Sequence, residues 1–570
     1  VKIGVRYADR HQVVRYSAYN WVQVADPYMC DGPGFSIDNT TPSAYPASCG
    51  NSTQFTGYGS NIWYTASLGN DFYNGKVFNP GPTVWLKDSV LKDPNAVAMA
   101  LGHKETGSPG GWDPICSRAG TTDCFLPSEV LDVKEKTTAG YLMIAFGGDA
   151  LEVFGVPVSG NIGARYIKTE LTSTGGISFP TNSWYQAQLG SNCSDALSGN
   201  NVTNIGCWLT AAEGAFSNGA SGLNTYGKTS YNLLPSANLK LSLTEDSILR
   251  FAVSEAMSRP DFGYLRNYVG ISSPPIDVTS TSPYVVYNSP TATHVPANVT
   301  GYNFEFIANA GNPALKPMTA WQYDASYEYY FNSTSSFTAD MFLKELNNSI
   351  AYGDVTRAIT NNGATENILV RGPVNSANGG ELWGFEVAYQ AFFDFLPAPF
   401  DGLGTQLNYI HTHQAGIHNS NLAVQPGYIA GSTIAFGGGL QVDNAIIDSH
   451  RLAGISDDSY NIIALYEKGP IGIRLAYNWR SGYLTDNLDC CTGTPMYQKS
   501  AGFLDGSIRY SVDDHWEVSL DGSNLLDTTT IFQQQVFGDT SLSPKAKPVL
   551  LDTGWSKSGR LVQFAVRVKY

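Results

Sequence analysis

No stretch of this 570-residue sequence approaches the roughly eighteen consecutive apolar residues that a membrane-crossing helix requires, so a helical span is excluded. Charge is scarce too. Asp, Glu, Lys and Arg make up 15% of residues, and a net charge of −15 without basic clusters argues against a nucleic-acid partner. No CxxC pair occurs, which removes zinc-ribbon and thioredoxin-like chemistry. P-loop, GxSxG, HExxH and dinucleotide-binding fingerprints are missing, so neither an enzyme nor a cofactor is expected. No Pro/Ser-rich or charge-rich linker divides the chain, which points to one large architecture. The first residues show no basic then apolar leader, and any signal peptide is expected to have been removed.

What is abundant suits strands and polar loops: 33 Tyr and 58 Gly, with many Asn, Ser and Thr. From Leu561 to Tyr570, Val562, Phe564, Val566, Val568 and Tyr570 share one face, while Gln563, Arg567 and Lys569 share the other. An unbroken apolar face opposite a charged one fits a transmembrane β-strand between lipid and a wet lumen. The same alternation recurs. Trp321 to Phe331 returns through Asn332 to Ser335 into Phe337 to Leu343, and Trp383 to Phe395 turns at Pro397 to Gly402 into the strand of Leu407 and Tyr409. Tyr460 to Glu467 pairs with Ile471 to Tyr483, Leu504 to Val512 with Trp516 to Leu520, Tyr141 to Phe146 with Ile162 to Thr172, and Leu239 to Leu243 with Leu249 to Val253. With Val1 to about Tyr19 and the terminal strand, about fourteen strands are predicted. The segments near 20–137, 173–230, 258–320, 351–380, 415–452, 484–499 and 528–559 are long and polar, and all fall on one side. Short turns alternating with long loops predict an all-β, antiparallel transmembrane β-barrel with long extracellular loops. Strand-end aromatics such as Trp321, Phe331, Trp383, Phe395, Trp479, Tyr483 and Trp516 would form its two girdles.

Six of the eight cysteines fall in Gly/Asn/Ser/Pro-rich loops as local pairs, predicting bridges Cys30 to Cys49, Cys116 to Cys124 and Cys193 to Cys207. The adjacent Cys490 and Cys491 are left unassigned. The candidate ligand contacts are the loop aromatics Trp63, Tyr64, Trp85, Trp112, Trp184, Tyr185 and Trp208, because flat rings beside Asn, Asp and Gln suit the C–H faces and hydroxyl rims of sugars. Asp457/Asp458 and Asp513/Asp514 read as turn residues rather than a catalytic pair. His411 and His413 share a strand face but lack a third ligand, so no metal site is assigned.

Several phrases resemble those of TonB-dependent outer-membrane receptors: Gly311-Asn-Pro-Ala-Leu-Lys-Pro317, the FAVSEAMSRP of Phe251 to Pro260, Gly384-Phe-Glu386, Ser523-Asn-Leu-Leu-Asp527 and the terminal strand. Met318 stands where that family usually has Glu. Gly160 to Thr169 resembles a subgroup common in Caulobacter- and Xanthomonas-like bacteria. The resemblance implies a barrel of about twenty-two strands filled by an N-terminal plug. No plug candidate is present, so residues 1–570 are expected to be a barrel fragment carrying the last fourteen or so strands, with its first and last strands flanking a gap. It further implies a Gram-negative outer-membrane location, contact with outer-membrane lipid, and uptake of a scarce small nutrient, expected here to be an oligosaccharide. Energy would come from the TonB–ExbB–ExbD system through the missing plug. The alternatives are a self-contained passive channel of about fourteen strands and a secreted all-β glycan-binding protein.

Overall fold

A computed structural model describes residues 1–16, 63–67, 69, 75, 79, 81–93, 116, 122–126, 129–180, 209–217, 222–272, 285–289, 291–293, 295–302, 305–376, 379–419, 433–436, 440–443, 447–487, 489, 494–537 and 547–569. Two compact units divide the chain, residues 14–130 and residues 1–13 with 131–570.

The larger unit is a wall of long strands: β1 (Lys2–Arg15), β2 (Val130–Val153), β3 (Val156–Ser178), β4 (Gly222–Ser242), β5 (Ser247–Ser258), β6 (Met318–Tyr330) and β7 (Ser336–Asn347). It continues as β8 (Gly380–Phe392), β9 (Leu403–Ala415), β10 (Asp458–Lys468), β11 (Ile471–Arg480), β12 (Ala501–Ser511), β13 (Trp516–Ser523) and β14 (Leu561–Val568). β1 pairs with β2, and from there to β14 each strand pairs antiparallel with the next. This is the all-β, antiparallel transmembrane-barrel architecture that the alternation predicted.

One set of connections is short. Phe154 and Gly155, both at positive φ (55° and 80°), turn β2 into β3, as a two-residue hairpin requires. Between β12 and β13 the Asp513 carboxylate accepts from the backbone N–H groups of His515 and Trp516, both at 2.8 Å, which explains an acidic pair at a tight turn. The other set is long. It also holds more regular structure than its polar composition suggested, because residues read as open loop near 351–380 form a hairpin, Ile350–Asn361 with Ala364–Asn375. β2, β3 and β4 likewise run well beyond the segments whose alternation is apolar.

Register converts period-2 patterning into two chemically distinct faces. Val253, Tyr323, Leu343, Trp383 and His413 lie side by side across β5 to β9, and Phe251, Ala325, Met341, Phe385 and His411 form the adjacent row. Met341 is 68% exposed within this row. An exposed apolar sheet face is costly in water and favourable against lipid tails. The opposite face carries Asp324, Ser326, Asp340, Glu386 and Asn408, whose Nδ2 donates to Glu386. Aromatics mark both ends of the apolar face. At the short-turn end the Phe331 ring lies 4.9 Å from that of Tyr329 and 6.2 Å from that of Tyr389, and at the long-loop end Tyr460 stacks on Trp479 at 4.9 Å. Such belts place amphipathic rings at membrane interfaces.

Above the apolar band the loops fold onto the wall. Val133 and Leu171 from β2 and β3 pack with Phe262, Leu265 and Leu315 from the segment between β5 and β6. Beside this cluster the buried Glu135 carboxylate accepts from Arg259 and, at 3.3 Å, from Arg10, while Arg259 also donates to Thr137 at 2.8 Å. The Arg10 guanidinium covers the Phe262 ring at 4.4 Å. Strands β1 and β2 are thereby fastened to the end of β5, at the Arg-Pro that closes FAVSEAMSRP.

Two substitutions test these assignments. Glu135→Ala leaves two guanidinium groups facing an apolar cluster and is expected to cost about 3 kcal/mol, the low end for breaking a buried pair because Arg10 remains partly exposed; thermal unfolding of the chain in detergent measures it, and no shift would dismiss the network. Met341→Arg on the apolar face is expected to cost about 2–4 kcal/mol in a bilayer, whereas Ser326→Arg on the polar face should cost far less. Refolding into lipid vesicles compares them.

Candidate ligand-binding loops

Within residues 14–130, Trp63–Ala66 and Thr83–Leu86 form a short antiparallel hairpin in which Tyr64 faces Trp85 and Trp63 faces Leu86. Aromatic and β-branched residues favour this pleated pairing, and the Gly- and Asn-containing link between the strands is closed by side chains. Asn79 Nδ2 donates to the Gly69 carbonyl at 2.6 Å and Asn79 Oδ1 accepts from Gly81 N at 3.0 Å. Directly opposed residues on adjacent strands share a face, so Tyr64 and Trp85, 42% and 52% exposed, stand side by side on one open surface of the hairpin. Trp85 Nε1 donates to Thr83 Oγ1 at 2.8 Å. Trp63 lies on the other face. Trp112, Trp184, Tyr185 and Trp208 lie outside the described residues, so of the seven predicted aromatics the structure brings two onto one surface. In the same unit a disulfide joins Cys116 and Cys124, and Thr122 and Phe125 exchange backbone hydrogen bonds at 2.8 and 3.1 Å. Cys30, Cys49, Cys193, Cys207, Cys490 and Cys491 lie outside the described residues.

In the larger unit the long connections build a cap with its own core. Val269–Ser272 pairs antiparallel with Ile307–Ala310, which runs parallel to Ala364–Asn375. Phe179, Phe216, Ile271, Phe306, Ile368 and Val370 fill the space between them and the short helix Ala211–Phe216. A capping box between Thr210 and Glu213 starts that helix, and Asn361 Nδ2 donates to the Phe216 carbonyl at 2.6 Å. Inside the hairpin, Arg371 makes a bidentate pair with Asp354 at 2.7 and 2.8 Å.

The phrase Gly311-Asn-Pro-Ala-Leu-Lys-Pro317 stitches this cap to the wall. A Cβ at Gly311 would sit 2.0 Å from the Arg266 carbonyl oxygen, so only glycine fits. Asn312 N donates to the Tyr264 carbonyl at 2.7 Å and its Nδ2 to the Pro373 carbonyl at 2.9 Å, while Leu315 enters the lower core. Around this junction Tyr264, Tyr268 and Tyr352 each leave about a third of their surface open, with the Tyr264 and Tyr352 rings 6.2 Å apart edge to face. Burial pushes the Tyr268 phenol above its ordinary pKa against the opposing charge of Arg266. Burial also raises Tyr352, helped by the neighbouring Tyr264 and Tyr268. Both Tyr268 and Tyr352 therefore stay protonated hydroxyl donors at neutral pH. Sequence reasoning passed over this cluster because its members are far apart in the chain and tyrosine is common throughout.

His411 and His413 lie on the apolar face. His411 Nδ1 lies 2.9 Å from Asp458 Oδ1, and the His413 ring centre is 5.0 Å from that of Trp383, so they are girdle residues at the long-loop end. Among the described residues, three ligating groups converge instead at His418, Asp448 and His450.

A lipid-facing strand wall that carries folded loops at one end defines an outer-membrane-type β-barrel. Residues 3–525 match the family described as TonB dependent receptor-like, beta-barrel, and the chain belongs to that family. Its members are outer-membrane proteins of Gram-negative bacteria. Solved structures similar to this chain include a mutant ferric enterobactin receptor PfeA from Pseudomonas aeruginosa (13% identity, 78% of this chain and 56% of that one, TM-score 0.38). Others are the siderophore receptor PirA from Acinetobacter baumannii (13%, 77% and 55%, 0.37) and the FrpB iron transporter from Neisseria meningitidis (12%, 77% and 46%, 0.38). The chain spans about half the length of these proteins. A comparison with curated proteins gave no match.

Peptide mapping under non-reducing conditions is expected to recover Cys116–Cys124 together with Cys30–Cys49 and Cys193–Cys207. Cross-loop pairs, or free thiols at these six positions, would refute local bridging.

Proposed function

We propose that this chain is the barrel part of a longer outer-membrane receptor that takes up a scarce nutrient, an oligosaccharide, with energy from the TonB–ExbB–ExbD system. It belongs to the subgroup that the Gly160 to Thr169 phrase resembles, and the plug on which TonB acts lies outside this stretch. The work is transport rather than catalysis: the wall crosses the outer membrane and the long loops capture the ligand. Membership of the receptor family supports the transport reading. The sugar reading rests on one observation, the shared face of Tyr64 and Trp85. Two adjacent rings offer flat apolar surface to the C–H faces of consecutive sugars at little conformational cost. A net charge of −15 makes anionic ferric chelates a poorer match.

A binding screen of the purified chain against oligosaccharides, corrinoids and ferric siderophores ranks the ligand classes. Trp85→Ala and Tyr64→Ala are each expected to weaken oligosaccharide binding about tenfold, or about 1.4 kcal/mol, with the barrel intact by heat-modifiable gel mobility. Tight ferric-siderophore binding without sugar binding would overturn the substrate assignment.

A further inference from the structure

We infer that His418, Asp448 and His450 form a binding site for one divalent transition-metal ion of the zinc, copper or nickel class, at the neck of the loop between β9 and β10. Their ligating atoms all lie within 4.8 Å of one another. His418 Nδ1 is 2.8 Å from Asp448 Oδ2 and His450 Nδ1 is 3.5 Å from Asp448 Oδ1. Donors bound at about 2.1 Å in a tetrahedral site stand roughly 3.4 Å apart, so small side-chain rotations bring the three groups onto a common ion. Two imidazoles and one carboxylate select a borderline transition metal. Calcium and magnesium favour all-oxygen shells.

The carboxylate is already oriented. Asp448 Oδ1 accepts from the backbone N–H groups of Asn419 at 2.9 Å and His450 at 3.0 Å, which leaves Oδ2 turned toward His418. Outer contacts of this kind fix a ligand's direction before the metal arrives.

Both imidazoles are exposed, giving an ion direct access. His450 Nδ1 also lies 3.3 Å from the Ile417 carbonyl, a long contact that a metal bond would replace. The site joins two segments that are distant in sequence but adjacent in space. Ser449 N donates to the Asn419 carbonyl at 3.1 Å, and Asn419 Nδ2 donates to the Arg451 carbonyl at 3.0 Å. An ion here would cross-link His418 to Asp448 and His450, fastening the two segments together. This inference is independent of the nutrient assignment, since it concerns the loop neck and not the Tyr64/Trp85 surface.

The test is titration of the purified chain in detergent micelles with Zn²⁺ in competition with a chromophoric chelator, followed by Co²⁺ as an optical probe of coordination. One equivalent is expected, with a tetrahedral Co²⁺ spectrum. Asp448→Asn should weaken Zn²⁺ at least tenfold, the double variant His418→Ala/His450→Ala should abolish the equivalent, and His411→Ala should leave it unchanged. Heat-modifiable gel mobility verifies that each variant keeps its barrel. Failure of the folded wild-type chain to bind Zn²⁺, or full binding by the folded double variant, would overturn the site and leave the cluster a plain ion pair.

Discussion

Hydrocarbon offers no partner to a backbone N–H or C=O, and every other property of this fold follows from meeting that condition between strands. The registers satisfy it residue by residue, from Thr319 opposite Asn347 to Tyr330 opposite Ser336 in a single hairpin. Once the backbone is committed to pairing, side chains have only two faces on which to stand. The apolar set of Tyr323, Ala325 and Tyr327 must then share one face while Asp324, Ser326 and Glu328 share the other. Short turns conserve that register on one side of the membrane. The opposite side is free of the constraint, and the sequence there is spent on structure of a different kind.

The loop-borne structure is held to the wall at a few points, and three of the phrases that stand out in the sequence lie at them. Arg259 carries the Glu135 pairing; Gly311 and Asn312 join the segment after β5 to the Ile350–Asn375 hairpin. Asn524, in Ser523-Asn-Leu-Leu-Asp527, donates to the Gly559 carbonyl at 3.0 Å and accepts from Thr528 N at 2.9 Å, tying the start of one long loop to its end. A residue bridging backbone groups that are distant in sequence tolerates little replacement, whereas a girdle position accepts any ring of suitable size. That difference accounts for the recognisable phrases that do lie at wall–loop junctions.

Strand positions were legible in the sequence because lipid on one side and water on the other impose alternation. Legibility fell where that contrast ended. β2 and β3 continue past the membrane, where Val133 and Leu171 meet protein instead of lipid, and the stretches before Tyr141 and after Thr172 lack the pattern that marks the rest. The hairpin Ile350–Asn361 with Ala364–Asn375 was hidden because it folds into a cap rather than against lipid, with Arg371 paired to Asp354 inside it. The opposed rings of Tyr64 and Trp85 were named individually, but their shared face depends on a register that composition does not reveal. The grouping of His418 with Asp448 and His450 had no local signal at all, since the chain between them spans a whole loop.

The cap's core carries one further consequence. Phe216, Phe306, Ile368 and Val370 are packed as tightly as residues in the interior of a soluble domain. Folding has therefore already met the entropic cost of ordering these connections, about 1–2 kcal/mol for each residue's backbone. The Tyr264, Tyr268 and Tyr352 cluster beside this core is therefore a preformed relief whose shape is fixed when the chain folds.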